Sequence, residues 1–129
     1  MVLIAARPGI MRNSLVSYLR GIPGIHAIFP VDDAITALQV ARDSKPKFAV
    51  LDSDLSEDAV LRLIEKIHNE QPETVSIVLV ESIRQKELCT SRGAAHVLLK
   101  GLLDEHLREV VLSELRTTQS REAMQRRNT

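Results

Sequence analysis

The sequence has 129 residues, of which 44% are hydrophobic and 26% are charged, a balance typical of one soluble globular domain. Its 17 basic and 17 acidic side chains give a formal net charge of zero, so the chain has no global attraction for nucleic acid or for a membrane surface. A lone cysteine excludes an internal disulfide and a zinc site built on paired cysteines. The sequence shows neither a secretory signal nor a membrane-spanning segment, and we therefore expect a cytoplasmic protein.

Short apolar runs alternate along the chain with longer stretches of helical periodicity. Five runs are predicted to be strands: residues 2–5, 25–29, 48–51, 75–80 and 97–99. Most are continuously apolar rather than alternating, which is typical of parallel strands covered by helices on both faces. We expect Asp32 or Asp33 to cap the second of five helices, and Ser56 to cap the third. The chain is therefore predicted to have an α/β fold with a doubly wound parallel sheet.

Two charged residues stand where such a sheet usually carries its site, at the carboxyl ends of the strands. Asp52 follows the third predicted strand and Lys100 follows the fifth. With these residues and the segments 2–5, 23–25 and 93–94, the chain resembles the receiver domain of bacterial two-component response regulators, most closely the NarL/FixJ (LuxR-type) group. The resemblance covers residues 2–116 and implies a flavodoxin-like sheet of five strands in the order 2-1-3-4-5 with five helices.

The resemblance also implies a phosphorylation site, from which this sequence departs. Asp52 stands at the phosphoacceptor position and Lys100 at the position of the family's lysine. The family's remaining features are an acidic pair after the first strand, a hydroxyl after the fourth and an aromatic residue in the fifth. These positions are occupied by other residue types: Ala6 and Arg7, Val80, and Val97, respectively. We interpret the chain as a degenerate receiver, in which Asp52 and Lys100 are vestigial and no residue is expected to be catalytic.

The departures oppose phosphoryl transfer for separate chemical reasons. Transfer to Asp52 brings negative charge beside negative charge, which Mg²⁺ neutralises in the family. Ala6 offers no ligand, and Arg7 brings a permanent cation to the place of the metal. Val80 cannot donate the hydrogen bond of a threonine, and Glu81 after it would repel the phosphoryl group. We therefore expect no metal, no other cofactor and no enzymatic activity.

The sequence leaves open which cation pairs with Asp52. Arg7 could pair with Asp52, because both residues stand at the carboxyl ends of adjacent central strands. In that case Arg7 would replace the divalent cation and hold the domain in one fixed state. In the alternative, Arg7 points to solvent and Asp52 pairs with Lys100.

The resemblance implies signal transduction by protein–protein contact, independent of phosphorylation, that regulates transcription through a partner or an attached DNA-binding domain. We expect no contact of this domain itself with nucleic acid or membrane. A second hypothesis keeps Asp52 as an active acceptor, phosphorylated by a histidine kinase with the help of a displaced Mg²⁺ site. A third hypothesis is that a small molecule binds in the space that the metal would otherwise fill.

The fifth helix carries the expectations about chain organisation and self-association. Residues 1–116 are expected to form the receiver-like domain. Residues 117–129 are expected to form a polar, basic tail, which is either a frayed continuation of the fifth helix or a truncated interdomain linker. A homodimer is implied through this helix, whose apolar stripe comprises Leu103, Leu107, Val111 and Leu115. The same stripe is equally consistent with a face that packs on the sheet.

Overall fold

A computed structural model describes residues 1–127, except for the side chains of residues 102–104, 119, 120, 122, 123 and 125–127. Five strands form the sheet: β1 Val2–Ala5, β2 Ile28–Val31, β3 Phe48–Asp52, β4 Val75–Val80 and β5 His96–Leu99. Five helices alternate with them: α1 Ile10–Arg20, α2 Ala34–Ser44, α3 Glu57–Glu70, α4 Ile83–Ser91 and α5 Leu103–Arg127. A short 3-10 turn, Lys100–Leu102, joins β5 to α5.

All strand pairs are parallel, and the order across the sheet is β2-β1-β3-β4-β5. This confirms the predicted α/β fold and strand order. The side chains of the central strand β3 are all buried, which explains its continuous apolar run. Because the strands are parallel, the residues that follow β1, β3, β4 and β5 gather at one edge of the sheet.

The sheet separates two apolar layers, and alternate residues of each strand enter opposite layers. Along β3, Ala49 and Leu51 pack with buried residues of α2, α3 and α4. Phe48 and Val50 point the other way and pack with residues of α1 and α5.

Short polar side chains begin two of the helices. The carboxylate of Asp33 accepts a hydrogen bond from the backbone N–H of Thr36 at 2.7 Å, so Asp33 rather than Asp32 caps α2. The Ser82 hydroxyl caps α4 in the same way and was not anticipated. Ser56 precedes α3 as expected, but its hydroxyl makes no capping hydrogen bond.

The predicted second strand was misplaced. Residues 25–29 were expected to form it, whereas β2 begins at Ile28 and ends at Val31. The strand therefore includes Pro30, which cannot donate a ladder hydrogen bond. Since β2 is an edge strand that pairs only with β1, a proline is tolerated there.

The last helix continues beyond residue 116, into the segment that was expected to be a polar tail or linker. α5 extends over 25 residues to Arg127, so residues 117–127 are helical. Among the helices described, none combines the length and the apolar character needed to cross a membrane.

Three ion pairs connect α3 to its neighbours α2 and α4. In each pair α3 supplies the glutamate, and the arginine comes from α2 (Glu70 with Arg42), from α4 (Glu57 with Arg84) or from the residue directly after α4 (Glu65 with Arg92). The first pair is bidentate, with N–O distances of 2.8 and 2.9 Å.

We expect the Gly93→Ala substitution to destabilise the fold by about 1–3 kcal/mol. Gly93 has a φ of +105°, and a Cβ atom there would lie 2.7 Å from Cγ of His68. Urea denaturation would measure the loss, with Gly101→Ala as a matched control because a Cβ atom at Gly101 meets nothing within 4 Å. Adding His68→Ala should relieve only the steric part; an unchanged denaturation midpoint in Gly93→Ala would contradict the expectation.

The Arg42–Glu70 pair predicts an acid-dependent loss of stability. The hydrogen bonds that Arg42 donates hold the pKa of Glu70 below its ordinary value of 4.5. A lowered carboxyl pKa stabilises the fold above the ordinary pKa, and this contribution disappears as the pH falls through the lowered value. Wild type should therefore be more stable than Arg42→Gln at neutral pH, and urea denaturation should show the difference vanishing at low pH. Arg20→Gln on α1 is the control, and a difference for Arg42→Gln that persists in acid would contradict this account.

Candidate functional site

A single ammonium group organises the edge of the sheet where the site was expected. Nζ of Lys100 lies 2.7 Å from Oδ1 of Asp52, 2.8 Å from Oδ2 of Asp54 and 3.6 Å from Oε1 of Glu81. Asp52 is the last residue of β3, Asp54 lies in the loop after it, and Glu81 directly follows β4. Lys100 follows β5, so its side chain reaches across the end of β4 to Asp52.

The local backbone fixes the two aspartates. The N–H of Ser53 donates to the carbonyl of Leu79 at 3.0 Å, which continues the pairing of β3 with β4 beyond Asp52. The chain then turns, and the N–H of Asp54 donates to Oδ1 of Asp52 at 3.0 Å. Asp52 is 6% exposed, so its carboxylate needs both this hydrogen bond and a counter-charge.

The environment of Lys100 favours its charged form. Burial by itself would lower the pKa of Lys100, but the hydrogen bonds to Asp52 and Asp54 outweigh that effect and raise the pKa above its ordinary value of 10.5. The ammonium is therefore fully charged at neutral pH. It faces three carboxylates, so the cluster carries an excess of negative charge.

Arg7 does not pair with Asp52. Its exposed guanidinium donates from Nη2 to the carbonyl of Leu55 at 3.2 Å, and within the described residues it makes no ion pair. Of the two pairings that the sequence left open, the structure contains Asp52 with Lys100. Arg7 instead ties the loop after β1 to the loop after β3.

A second arginine, which the sequence analysis did not single out, contacts the backbone where the family has its acidic pair. Arg12 on α1 donates from Nη1 to the carbonyl of Ala6 at 3.1 Å and forms an ion pair with Asp32. Arg12 is the third residue of α1, in its first turn, and periodicity alone does not show that a helical arginine will fold back onto the strand end. Ala6 itself is buried in the apolar layer of α1 and α5.

The positions of the family's hydroxyl and aromatic residue carry apolar side chains that pack inward. Val80 is fully buried, and Val97 is partly buried against the same cluster in the layer of α2, α3 and α4. Neither side chain can form a hydrogen bond with a phosphoryl group.

These residues do not fit a divalent cation. The part of the chain that the structure describes has no group of three or more histidine, cysteine, aspartate or glutamate residues arranged to hold a metal. Ala6 provides no side-chain oxygen, and the carboxylates of Asp52 and Asp54 already contact the Lys100 ammonium. A cation added beside that ammonium would meet electrostatic repulsion.

The predicted interface stripe of α5 lies mostly inside the single chain. Leu107 and Val111 are buried in the layer of α1 and α5, and Leu115 is partly buried against it. The side chain of Leu103 lies outside the described residues. Because packing on the sheet already uses Leu107 and Val111, a homodimer through α5 would need the exposed residues of this helix.

Comparison with known proteins gives structural relatives only. No family profile and no curated protein matches the sequence. The receiver domain of the response regulator NarL from Mycobacterium tuberculosis is similar at a TM-score of 0.76 and 18% identity, covering 87% of this chain and 92% of that one. A LuxR-family DNA-binding response regulator from Staphylococcus aureus is similar at a TM-score of 0.76 and 17% identity, covering 88% of this chain and 96% of that one. The receiver domain of an HD-domain protein from Pseudomonas fluorescens is similar at a TM-score of 0.78 and 20% identity, covering 92% of this chain and 96% of that one. The chain thus has the fold of receiver domains.

We expect Lys100→Met to lower the free energy of unfolding at neutral pH by about 1–3 kcal/mol, because a buried carboxylate loses its counter-charge. Because the pKa of Lys100 is raised, its contribution is complete below the ordinary value of 10.5 and fades only as the pH rises above it. Urea denaturation at several pH values would measure it, with the exposed Lys86→Met as control; equal stability of Lys100→Met and wild type would contradict the role given to Lys100.

Proposed function

We propose that the chain is the receiver-like domain of an atypical response regulator, which acts in the cytoplasm by protein–protein contact and without phosphorylation. The observation that supports this most directly is the engagement of Lys100 by Asp52, Asp54 and Glu81 at 2.7, 2.8 and 3.6 Å. The lysine that would stabilise a phosphoryl group is already shared among three carboxylates.

The charges around Asp52 oppose an incoming phosphoryl group. Asp54 and Glu81 place two further carboxylates within reach of the same ammonium, so a phosphoryl group would have to compete with them for one cation. Within the described residues Arg7 forms no ion pair with these carboxylates, and its guanidinium donates to the carbonyl of Leu55.

Apolar side chains, Val80 and Val97, stand at the two positions where the family has the hydroxyl and the aromatic residue that move on phosphorylation. Val80 and Val97 pack within one apolar cluster, an arrangement stable without any ligand. A domain with one fixed conformation cannot signal by switching between two states. It signals by the choice of the protein that it binds. In this proposal the partner is another protein, a second copy of the chain, or an attached DNA-binding domain that regulates transcription. One structural relative is described as a DNA-binding response regulator, which supports the last of these.

An active phosphoacceptor is the second candidate, favoured by the retained contact of 2.7 Å between Asp52 and Lys100. It would require a histidine kinase and a metal site formed by residues other than those that now surround Lys100. The two candidates differ in a direct chemical test.

We expect acetyl phosphate or beryllofluoride with Mg²⁺ to leave both the intact mass and the NMR spectrum of the wild-type protein unchanged. A combined variant, Ala6→Asp, Arg7→Asp, Val80→Thr and Glu81→Ala, should gain one phosphoryl group, because it restores ligands and a hydroxyl and removes a repelling carboxylate. Adding Asp52→Asn to that variant should abolish the gain.

Two outcomes would contradict the proposal. A phosphoryl group on Asp52 of the wild-type protein would establish the active phosphoacceptor. A folded combined variant that stays unmodified would show that the departures at these positions are not what prevents phosphorylation. Circular dichroism would verify the fold of each variant before the comparison.

A further inference from the structure

We propose that the groove between α2 and α3 binds an acidic amphipathic helix of a partner protein. Its apolar lining comes from Ile35 and Leu38 of α2 and from Ala59 and Leu63 of α3. Arg62 and Lys66 of α3 also line the groove and give it a cationic side. The groove lies on the outer face of these helices, and the inference does not depend on whether Asp52 is phosphorylated.

The apolar part of the groove is open to solvent. Ile35 is 76% exposed although it stands in the first turn of α2, where a polar side chain would serve the helix equally well. Single exposed apolar side chains are common on protein surfaces. Ile35 differs because it continues an apolar strip with Leu38, which is half-buried, and Leu63, which is buried.

The charges beside the groove are not balanced within the chain. Among the described residues, Arg62 and Lys66 form no ion pair, whereas Arg42, Arg84 and Arg92 each pair with a glutamate of α3. The Arg62 guanidinium donates only to a backbone carbonyl of its own helix, at 3.4 Å.

The groups around these two cations leave them available to a ligand. The exposed carboxylate of Asp58 lies one helical turn before Arg62 without forming an ion pair. Glu70 is engaged by Arg42, and Lys66 contributes only a weaker electrostatic effect to the lowered pKa of Glu70. The groove therefore combines an apolar strip with two unpaired positive charges.

These features favour a helix as the occupant. A groove between two packed helices accepts a third helix, whose apolar side chains at i and i+4 insert between the ridges. Arg62 and Lys66 are four residues apart, which places them about 6 Å apart along the axis of α3. Carboxylates at a similar spacing on a partner helix can meet both cations, whereas a basic helix would be repelled.

The test uses two synthetic amphipathic peptides with the same leucine positions, one flanked by glutamates and the other by lysines. NMR titration of the labelled full chain should show saturable shifts at the groove with the acidic peptide only. Ile35→Ser should weaken this binding about tenfold or more, because it removes an exposed apolar side chain that the bound peptide would cover. The double variant Arg62→Glu and Lys66→Glu should reverse the preference in favour of the basic peptide.

The matched control is Ile83→Ser, which changes an isoleucine that is 66% exposed at the start of α4 and should leave peptide binding unchanged. Absence of saturable shifts, or equal affinity for both peptides, would overturn the proposal. Vesicles of equal parts phosphatidylserine and phosphatidylcholine provide a further comparison. If the wild-type protein binds these vesicles but not the acidic peptide, and the double variant loses vesicle binding, the groove is a membrane-binding site instead. None of these results changes the expected response of Asp52 to acetyl phosphate, so the two proposals fail independently.

Discussion

The arrangement of the site depends on one requirement: the buried carboxylate of Asp52 must have a counter-charge. Lys100 supplies it from the far side of β4, and in doing so connects the ends of β3 and β5. A carboxylate so little exposed would otherwise take up a proton or destabilise the fold. The ammonium then attracts Asp54 and Glu81, which gather around it in partly solvated positions.

The same edge is cross-linked elsewhere by arginines that bind backbone carbonyls. Arg7 joins the end of β1 to the loop after β3 through Leu55, and Arg12 joins α1 to Ala6 and to the loop that contains Asp32. The contacts with Leu55 and Ala6 each satisfy a backbone carbonyl that would otherwise need water or a ligand. Side-chain cations of the protein thus lie at several positions at which a metal-dependent site would need open ligands.

The fold could be predicted from local pattern because buried parallel strands leave continuous apolar runs, and four of the five strands lie where those runs indicated. The run ending at Phe29 misled because pairing with β1, rather than local hydrophobicity, decides where β2 begins. At the site, the positions of Asp52 and Lys100 follow from strand order. The contacts of Arg12, Asp54 and Glu81 do not, since they depend on how long side chains fold back across loops.

The net charge of zero does not show which charged surfaces the protein presents, because it conceals how the basic and acidic side chains are distributed. At the strand ends, three carboxylates share Lys100, so that edge is anionic. On the outer layer, the glutamates of α3 pair with arginines in α2, in α4 and directly after α4. Within the part of the chain that the structure describes, Arg62 and Lys66 beside the apolar groove form no ion pair. Internal pairing therefore determines which charges a partner meets. A neutral chain can in this way repel anions at one edge and attract them on another face.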